Sequence, residues 1–306
     1  MSFGTHAYEP DPRNGSVLFN VNGRLVPRDK AVVNVFDSGF MLGDGVWEGL
    51  RVHHGRIAFL DEHLERLWAG AAALHFDIGI SQKMMSERLY QTLEANEMRE
   101  DVHIRLMVTR GLRSTPYQDP RVIISPPSII IAPEFKRPAA ETAARPQSLY
   151  TVAVRRGRAD VQDPQLNSHS KINCVTACVQ AIEAGADEGL MLDPQGFVAT
   201  CNSTHFFIVR KNEVWTSSGD YCLGGITRGK IIQLCRENNI PVFEKNFSLY
   251  HCYSANEAFT TGTFAGLAPV GKIDGRVIGS GTRGAVVERL QGLYKEMIAR
   301  DVAKSG

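Results

Sequence analysis

The sequence has almost no net charge, because 34 lysines and arginines oppose 33 aspartates and glutamates and leave +1 at pH 7. A nucleic acid or an anionic membrane calls for a strongly basic surface, so neither is expected as a partner. No uninterrupted apolar run approaches the roughly 18 residues that span a bilayer, and residues 1–15 lack the apolar core of a secretion signal. We therefore predict a cytoplasmic protein.

Cysteine is missing from the first half of the chain, and all six cysteines follow residue 173. Cys174 and Cys178 share one face of a predicted helix, but neither paired CxxC motifs nor a histidine completes a zinc site. The prediction is a set of free thiols and no metal site, as expected for a cytosolic protein.

The length of 306 residues favours two domains over one. Residues 134–147 are the best linker candidate, since this proline- and alanine-rich stretch has no apolar period. We predict an N-terminal α/β domain at 1–133 and a C-terminal, cofactor-binding domain at 148–306. Within the first domain, the residue patterns predict a hairpin at Asn22-Gly23, a helix over 81–96 opened by a serine, and strands over 102–109 and 122–132.

The most informative stretch is DEGLMLDPQGFVATCNSTHFFIV, at 187–209, followed by GGITRG at 224–229. It predicts a strand, a tight turn and a second strand, in which a polar run from Thr200 to His205 breaks the apolar alternation. Polar residues at positions where a buried strand should continue usually face a site. A glycine-rich turn that opens a helix presents backbone N–H groups that bind phosphate.

With these motifs, the WEGLR segment ending at Arg51, HLERL at 63–67 and TTGTFAG at 260–266, the chain resembles the class IV (fold type IV) aminotransferases. That family includes branched-chain and D-amino-acid aminotransferases and aminodeoxychorismate lyase, and uses pyridoxal 5′-phosphate (PLP). The resemblance implies an α+β fold with a small α/β N-terminal domain and a larger β-barrel-like C-terminal domain. It also implies a homodimer, and a phosphate cup matched here by Arg51, Ile226, Thr227 and Thr263.

The resemblance also implies a lysine that forms the internal aldimine and carries the Cα proton. Lys171, in LNSHSKINCV, is the only lysine between the linker and the 187–209 motif. In the family, however, about four more residues separate this lysine from the Gly-Ala-Asp-Glu motif, here at 185–188. If the family's spacing is counted back from this motif without a gap, Asn167 stands at the lysine's position. A helix shorter by one turn restores Lys171 to that place, because one turn is about four residues.

Thr200 stands where the family's transaminases carry an acid that pairs with the pyridine nitrogen of PLP. A hydroxyl can hydrogen-bond that nitrogen but holds no proton on it by charge. For the substrate, Arg105 supplies a planar cation for a carboxylate. Phe40, with Met41 and Trp47, is a candidate wall of an apolar pocket.

The leading hypothesis is therefore a PLP-dependent aminotransferase acting on a small amino acid and a 2-oxo acid. One alternative is a PLP lyase or eliminase, favoured by Thr200. The other is a PLP-independent or non-catalytic protein, favoured by Asn167.

Overall fold

The computed structural model of the protein describes residues 6–139 and 142–304. Ala140 and Glu141 of the predicted linker 134–147 lie outside the described residues, as do 1–5 and 305–306 of the two predicted domains. The contacts divide the chain into two compact units. Among the described residues, the N-terminal unit comprises Glu9–Arg137, Leu166–Lys171 and 300–304, and the C-terminal unit comprises 6–8, 138–139, 142–165 and Ile172–Ala299.

The N-terminal unit contains a six-stranded antiparallel sheet. Its strands are β1 (Leu18–Val21), β2 (Arg24–Pro27), β3 (Gly45–His53), β4 (Arg56–Ile57), β5 (Val102–Thr109) and β6 (Ser128–Phe135), in the order β2-β1-β6-β5-β3-β4. Its helices are α1 (Ser38–Leu42), α2 (Leu60–Ala73) and α3 (Gln82–Ala95). Leucines of α2 and α3 pack with one face of the sheet to form the core. The opposite face of the sheet lies outside this core.

The C-terminal unit contains a mixed nine-stranded sheet. Its strands are β7 (Gln147–Thr151), β8 (Glu188–Leu192), β9 (Val198–Cys201), β10 (His205–Arg210), β11 (Glu213–Thr216), β12 (Val242–Glu244), β13 (Glu257–Gly262), β14 (Gly266–Ile273) and β15 (Arg276–Val277). The order is β12-β11-β10-β13-β14-β7-β8-β9, with β15 beside β14. Its helices are α4 (Ala159–Gln162), α5 (Ile172–Glu183), α6 (Ile226–Glu237), α7 (Leu249–Tyr253) and α8 (Ala285–Lys304), of which the residues from Arg300 onward are counted with the N-terminal unit.

This larger sheet curls, because β9 at one end of the strand order contacts β10 near the other end. The backbone N–H of Cys201 donates to the carbonyl of Thr204, at 2.9 Å, in the turn that joins the two strands. A sheet that meets itself in this way forms part of a barrel. The predicted α+β fold with a larger, barrel-like C-terminal domain is therefore confirmed.

Across the described residues, no helix combines the length and the apolar composition that a membrane crossing requires. The long helix α8 carries charged residues along its whole length.

Candidate active site

The two central strands of the N-terminal sheet present different side chains on their two faces. In β5 the residues at 102, 104, 106 and 108 are buried in the core, whereas the residues between them point to the other side. In register with them on β3 are Trp47 opposite Met107, Gly49 opposite Arg105, and Arg51 opposite His103. We call this second side, defined by Trp47, Gly49, Arg51, His103, Arg105 and Met107, the polar face of the sheet.

Residues 166–171 add a short extended piece beside the start of β3. Ser168 forms a β-bridge with Val46, and the backbone N–H of His169 donates to the carbonyl of Gly45 at 2.9 Å. The indole Nε1 of Trp47 donates to the carbonyl of Ser168 at 3.0 Å. These bonds hold the segment against β3 and so position its last residue, Lys171.

Lys171 and Arg105 both lie against Trp47. Lys171 is the predicted reactive amine, and Arg105 is predicted to bind the substrate carboxylate. The guanidinium carbon of Arg105 is 3.7 Å from the centre of the indole ring, and the Nζ of Lys171 is 5.7 Å from it. A cation within about 6 Å of a tryptophan ring is attracted by the ring's quadrupole. The fold thus brings together two predicted site residues that are 66 positions apart in the sequence.

Asn167, the alternative candidate for the lysine's position, has a different environment. Its side chain is 6% exposed, and its Nδ2 donates to the carbonyl of Trp47 at 2.6 Å while its own carbonyl accepts from the N–H of Trp47. Its Oδ1 is buried and has no hydrogen-bond partner in the described structure. Asn167 therefore anchors the 166–171 segment to β3.

Arg51 is buried on the polar face, where its guanidinium donates to the carbonyl of Lys136. Burial lowers the pKa of Arg51, and the nearby carboxylates of Asp101 and Glu100 oppose that shift. A guanidinium keeps its charge at any pH that proteins tolerate, so a buried positive charge remains here. Phe40 lies on α1 with 75% of its side chain exposed, and its place in a substrate pocket stays a prediction.

In the C-terminal unit, Thr200 lies near the end of β9, beside the turn to β10. Its hydroxyl donates to the carbonyl of Thr204 at 2.8 Å, and both residues are buried. The Thr204 hydroxyl donates in turn to Glu188 at 2.8 Å, and Ser203 donates to the same carboxylate. Because the Thr200 hydrogen is used in this way, its oxygen lone pair is what remains for a further partner.

The N-terminus of α6 is packed tightly against His205. A Cβ atom added to Gly225, the N-cap residue, would lie 2.2 Å from Cε1 of His205, so only glycine fits there. The His205 Nε2 donates to the carbonyl of Leu223 at 2.8 Å, which fixes the orientation of the ring. The N-cap makes no side-chain hydrogen bond, and the amide groups of Ile226 and Thr227 have no acceptor within the helix.

The end of β13 contributes hydroxyl groups beside His205 and the N-terminus of α6. Thr261 pairs with His205 across the sheet, and its buried Oγ1 has no hydrogen-bond partner among the described residues. Gly262 and Thr263 follow it, and an added Cβ at Gly262 would touch Thr204 at 3.4 Å. Helix α6 packs on β13, and Thr227 lies buried with its Oγ1 3.4 Å from the Tyr294 hydroxyl.

This arrangement fits a phosphate group. An uncapped helix N-terminus and an unpaired buried hydroxyl are hydrogen-bond donors, and the helix dipole favours an anion. Within the residues described, no group of three or more histidine, cysteine or acidic side chains could hold a metal ion.

For two residues near the site, the contacts in the structure were not predicted from the sequence. Trp47 was interpreted there as a candidate wall of an apolar pocket, but it is the surface on which Arg105 and Lys171 pack. Glu188 was read only as part of a strand, although its buried carboxylate accepts three hydrogen bonds from Ser203 and Thr204. An acidic residue inside an apolar strand was the available signal, since buried carboxylates require partners.

Comparison with known proteins gives a consistent result. The profile of the family described as amino-transferase class IV matches residues 45–273. A putative branched-chain-amino-acid aminotransferase of Methanocaldococcus jannaschii is 39% identical over 279 residues, 90% of this chain and 95% of that protein.

Branched-chain-amino-acid aminotransferase-like protein 2 of Arabidopsis thaliana is 38% identical over 94% of this chain. The chain spans about half the length of that plant protein, 51% of it. Among solved structures, the branched-chain aminotransferase of the archaeon Thermoproteus uzoniensis, crystallised with norvaline, has a TM-score of 0.83. It is 28% identical, and the match covers 94% of this chain and 96% of that one.

Proposed function

Because the chain belongs to the class IV aminotransferases, we propose that it moves an amino group between a small amino acid and a 2-oxo acid with the help of PLP. One observation carries this proposal: the amine of Lys171 and the guanidinium of Arg105 pack against the same ring, that of Trp47. An amine that can accept a proton and a fork that can bind a carboxylate are the two groups that amino transfer requires of the protein.

PLP, when bound, supplies an aldehyde for the amino group and a ring that withdraws electrons from the substrate carbon. Lys171 then takes the proton from that carbon and returns it, as a general base and acid. Arg105 holds the substrate carboxylate, and Trp47 limits the movement of both side chains. Trp47 is itself held by hydrogen bonds to Ser168 and Asn167.

For the phosphate we propose the amide groups of Ile226 and Thr227, together with Thr263 and, from the family resemblance, Arg51. The uncapped N-terminus of α6 and the unpaired hydroxyl of Thr261 support this assignment. Thr200 is proposed to contact the pyridine nitrogen by donating its hydroxyl hydrogen, which would turn away from the Thr204 carbonyl to do so, because a neutral ring nitrogen only accepts.

Lys171 is proposed as the reactive amine, although Asn167 stands at the lysine's position when the family's spacing is counted without a gap. The buried hydrogen bonds of Asn167 to the backbone of Trp47 support this, since they give the asparagine a structural role. A structural role for Asn167 supports this assignment over the PLP-independent alternative.

The test is chemical labelling of the purified protein. Borohydride reduction in the presence of PLP, followed by peptide mapping, should place a pyridoxyl group on the peptide that contains Lys171. Lys171→Ala should lose both the label and the amino transfer from leucine to 2-oxoglutarate, whereas the exposed control Lys211→Ala should keep both. A label that persists on another lysine in Lys171→Ala, or active Lys171→Ala protein, would overturn the assignment.

A second candidate function is a PLP-dependent lyase or eliminase, which Thr200 favours. The hydroxyl of Thr200 carries no charge that would keep the ring nitrogen of bound PLP protonated, so it would support amino transfer less well than an acid would. A lyase releases ammonia without an amino acceptor. Ammonia release from serine or cysteine that does not depend on 2-oxoglutarate would support this function, and strict dependence on the acceptor would exclude it.

We further propose that the protein is a homodimer paired through α5. Four apolar side chains on this helix are exposed: Ile172 at 77%, Val175 at 54%, Val179 at 50% and Ile182 at 63%. Their order and spacing read the same in both directions. Two copies related by a two-fold axis would therefore match Ile172 with Ile182 and Val175 with Val179.

Light scattering after size exclusion tests this pairing. Val179→Asp should shift the protein toward a monomer at micromolar concentration. Val161→Asp, at an equally apolar position of α4 that is 79% exposed, should leave the mass unchanged. A dimer that tolerates Val179→Asp would place the interface elsewhere.

A cytoplasmic location is proposed from the cysteines, all six of which are free. Free thiols are typical of a reducing compartment. Titration of the denatured, unreduced protein from its native cells should count six thiols, and a smaller number would contradict this location.

A further inference from the structure

A cavity of about 420 Å³ lies in the N-terminal unit, and none of the six residues that define the polar face of the sheet lines it. It is bounded by the turn after β1, the loop at 32–34, the connection at 78–80 between α2 and α3, and the start of β6. None of the residues assigned above to PLP or to amino transfer lines it. Its volume is in the range of small-molecule sites in proteins.

The walls of this cavity are mainly apolar. Ile78, Ile129 and Ile130 are buried at its base, and Val33 and Pro127 close its sides. Such a lining takes the hydrocarbon part of a ligand and excludes a highly charged one.

The polar side chains in the lining include three that offer hydrogen-bond donors: Arg88, Asn22 and Asn34. The Oδ1 of Asn22 accepts from the N–H of Ile129 at 2.7 Å, and the Oδ1 of Asn34 accepts from the N–H of Phe36 at 2.8 Å. Both amide oxygens are thus used by the backbone, which leaves the NH₂ groups for another partner.

The Arg88 guanidinium forms no ion pair or side-chain hydrogen bond with any residue in the described part of the chain. It lies against the turn at Gly23, where an added Cβ would be 3.5 Å from its Cζ. An arginine without a carboxylate partner at the edge of an apolar cavity is complementary to a planar monoanion.

We propose that this cavity binds a small aliphatic monocarboxylate, held by Arg88 through the carboxylate and by the isoleucines through the hydrocarbon chain. Among the described residues that line the cavity, Arg88 is the one charged side chain and none is acidic, so an α-ammonium group has no carboxylate partner there and is repelled by Arg88. The site therefore discriminates between acids: 4-methylpentanoate and 4-methyl-2-oxopentanoate bind, and leucine binds at least about 10-fold more weakly. The proposal is independent of the amino-transfer activity.

Calorimetry with 4-methylpentanoate tests the site in the full chain. The Arg105→Met variant provides the background, because it removes the carboxylate fork proposed for the substrate. It should still bind one ligand per chain. Adding Arg88→Met should weaken that binding at least about 10-fold, as expected for a lost charged hydrogen bond. Adding Lys83→Met instead, at an exposed position of α3, should leave it unchanged.

A second variant fills the cavity while the arginine stays in place. Val33→Trp, at a position that is 48% exposed, should reduce the affinity as much as Arg88→Met does. The same titration with 4-methyl-2-oxopentanoate shows whether the site prefers a 2-oxo acid or a plain fatty acid, and the titration with leucine tests the discrimination against an amino group. Equal affinity with and without Arg88, unchanged binding in Val33→Trp, or leucine binding as tightly as 4-methylpentanoate would overturn the proposal.

Discussion

The guanidinium of Arg105 stacks 3.7 Å from the centre of the Trp47 ring, although the two residues are on neighbouring strands and are not directly paired. In the register of the sheet, Arg105 is opposite Gly49 and Trp47 is opposite Met107. Diagonal neighbours in a sheet are about 7–8 Å apart, so only long side chains such as these reach each other. Because Gly49, opposite Arg105, has no side chain, it leaves room for Arg105 to lie over the Trp47 ring.

Arg105 is expected to bind the substrate carboxylate, and its substitution tests this role. Arg105→Met should lower kcat/KM about 50-fold, mainly through KM, because a charged hydrogen bond to the substrate is lost. Arg105→Lys should recover part of the activity, since it keeps the charge but not the bidentate fork. Steady-state kinetics with leucine and 2-oxoglutarate measure both. Equal losses in the two variants would indicate that charge plays no part.

Gly225 and His205 form a second pair whose coupling can be measured. Gly225→Ala should destabilise the protein by about 1–3 kcal/mol, because the new methyl group occupies the position of the imidazole ring. The double variant with His205→Ala should recover most of that loss, as the ring is then absent. Urea unfolding of the two single variants and the double variant gives the coupling. Additive losses would mean that the backbone, and not His205, opposes the methyl group.

Glu48 is a buried carboxylate in the N-terminal core, where it accepts from His63 Nδ1 at 2.7 Å and from Arg66 Nε at 2.8 Å. Burial acts to raise the pKa of Glu48, but the hydrogen bonds from His63 and Arg66 outweigh it and lower the pKa below its ordinary value. A lowered carboxyl pKa stabilises the fold above the unfolded-state pKa, and this contribution is lost as the pH falls through the folded pKa.

Glu48→Gln should therefore lower the free energy of unfolding at pH 7 by about 3 kcal/mol, since it leaves the positive charge of Arg66 without its carboxylate. The difference in unfolding free energy between wild type and Glu48→Gln should shrink as the pH falls through the lowered pKa of Glu48, where the native carboxyl takes up its proton. Glu65→Gln, at an exposed position of the helix that carries His63 and Arg66, is the control. A difference between wild type and Glu48→Gln that stays constant from about pH 7 to about pH 3 would refute this account.

The buried cysteines should resist alkylation. Burial raises the pKa of Cys201, Cys222 and Cys252, and raises that of Cys235 to about 12, so their reactive thiolates are scarce at about pH 8. Iodoacetamide should label the native protein at the partly exposed Cys174 and Cys178 before any other site. Mass spectrometry of the labelled peptides measures this order, and the denatured protein should label at all six positions. Early labelling at Cys252 would contradict it.

The local elements followed closely from the residue patterns. The alternation in VHIRLMVT predicts a strand at 102–109, and β5 has these bounds. Ser81 was expected to cap a helix, and its Oγ accepts from the N–H of Met84 at 3.2 Å at the start of α3. In both cases the signal is contained in neighbouring residues.

One strand was predicted wrongly. The expected strand at 122–132 begins only at Ser128, and residues 120–122 form a 3-10 turn instead. Pro126 and Pro127 lack the N–H groups of a sheet ladder, so the strand starts after them. The two prolines line the cavity in the N-terminal unit as a result.

Residues close together in the chain were thus enough to predict the helices and strands, the motifs and the family resemblance, because each of these depends on local geometry. The partners of Trp47, Glu188 and Gly225 were not, since they arise from segments up to 121 positions apart that meet only in the packed sheets. The role of Asn167 was decided in the same way. Counting along the chain placed it at a lysine's position, whereas its hydrogen bond to the Trp47 carbonyl gives it a structural role.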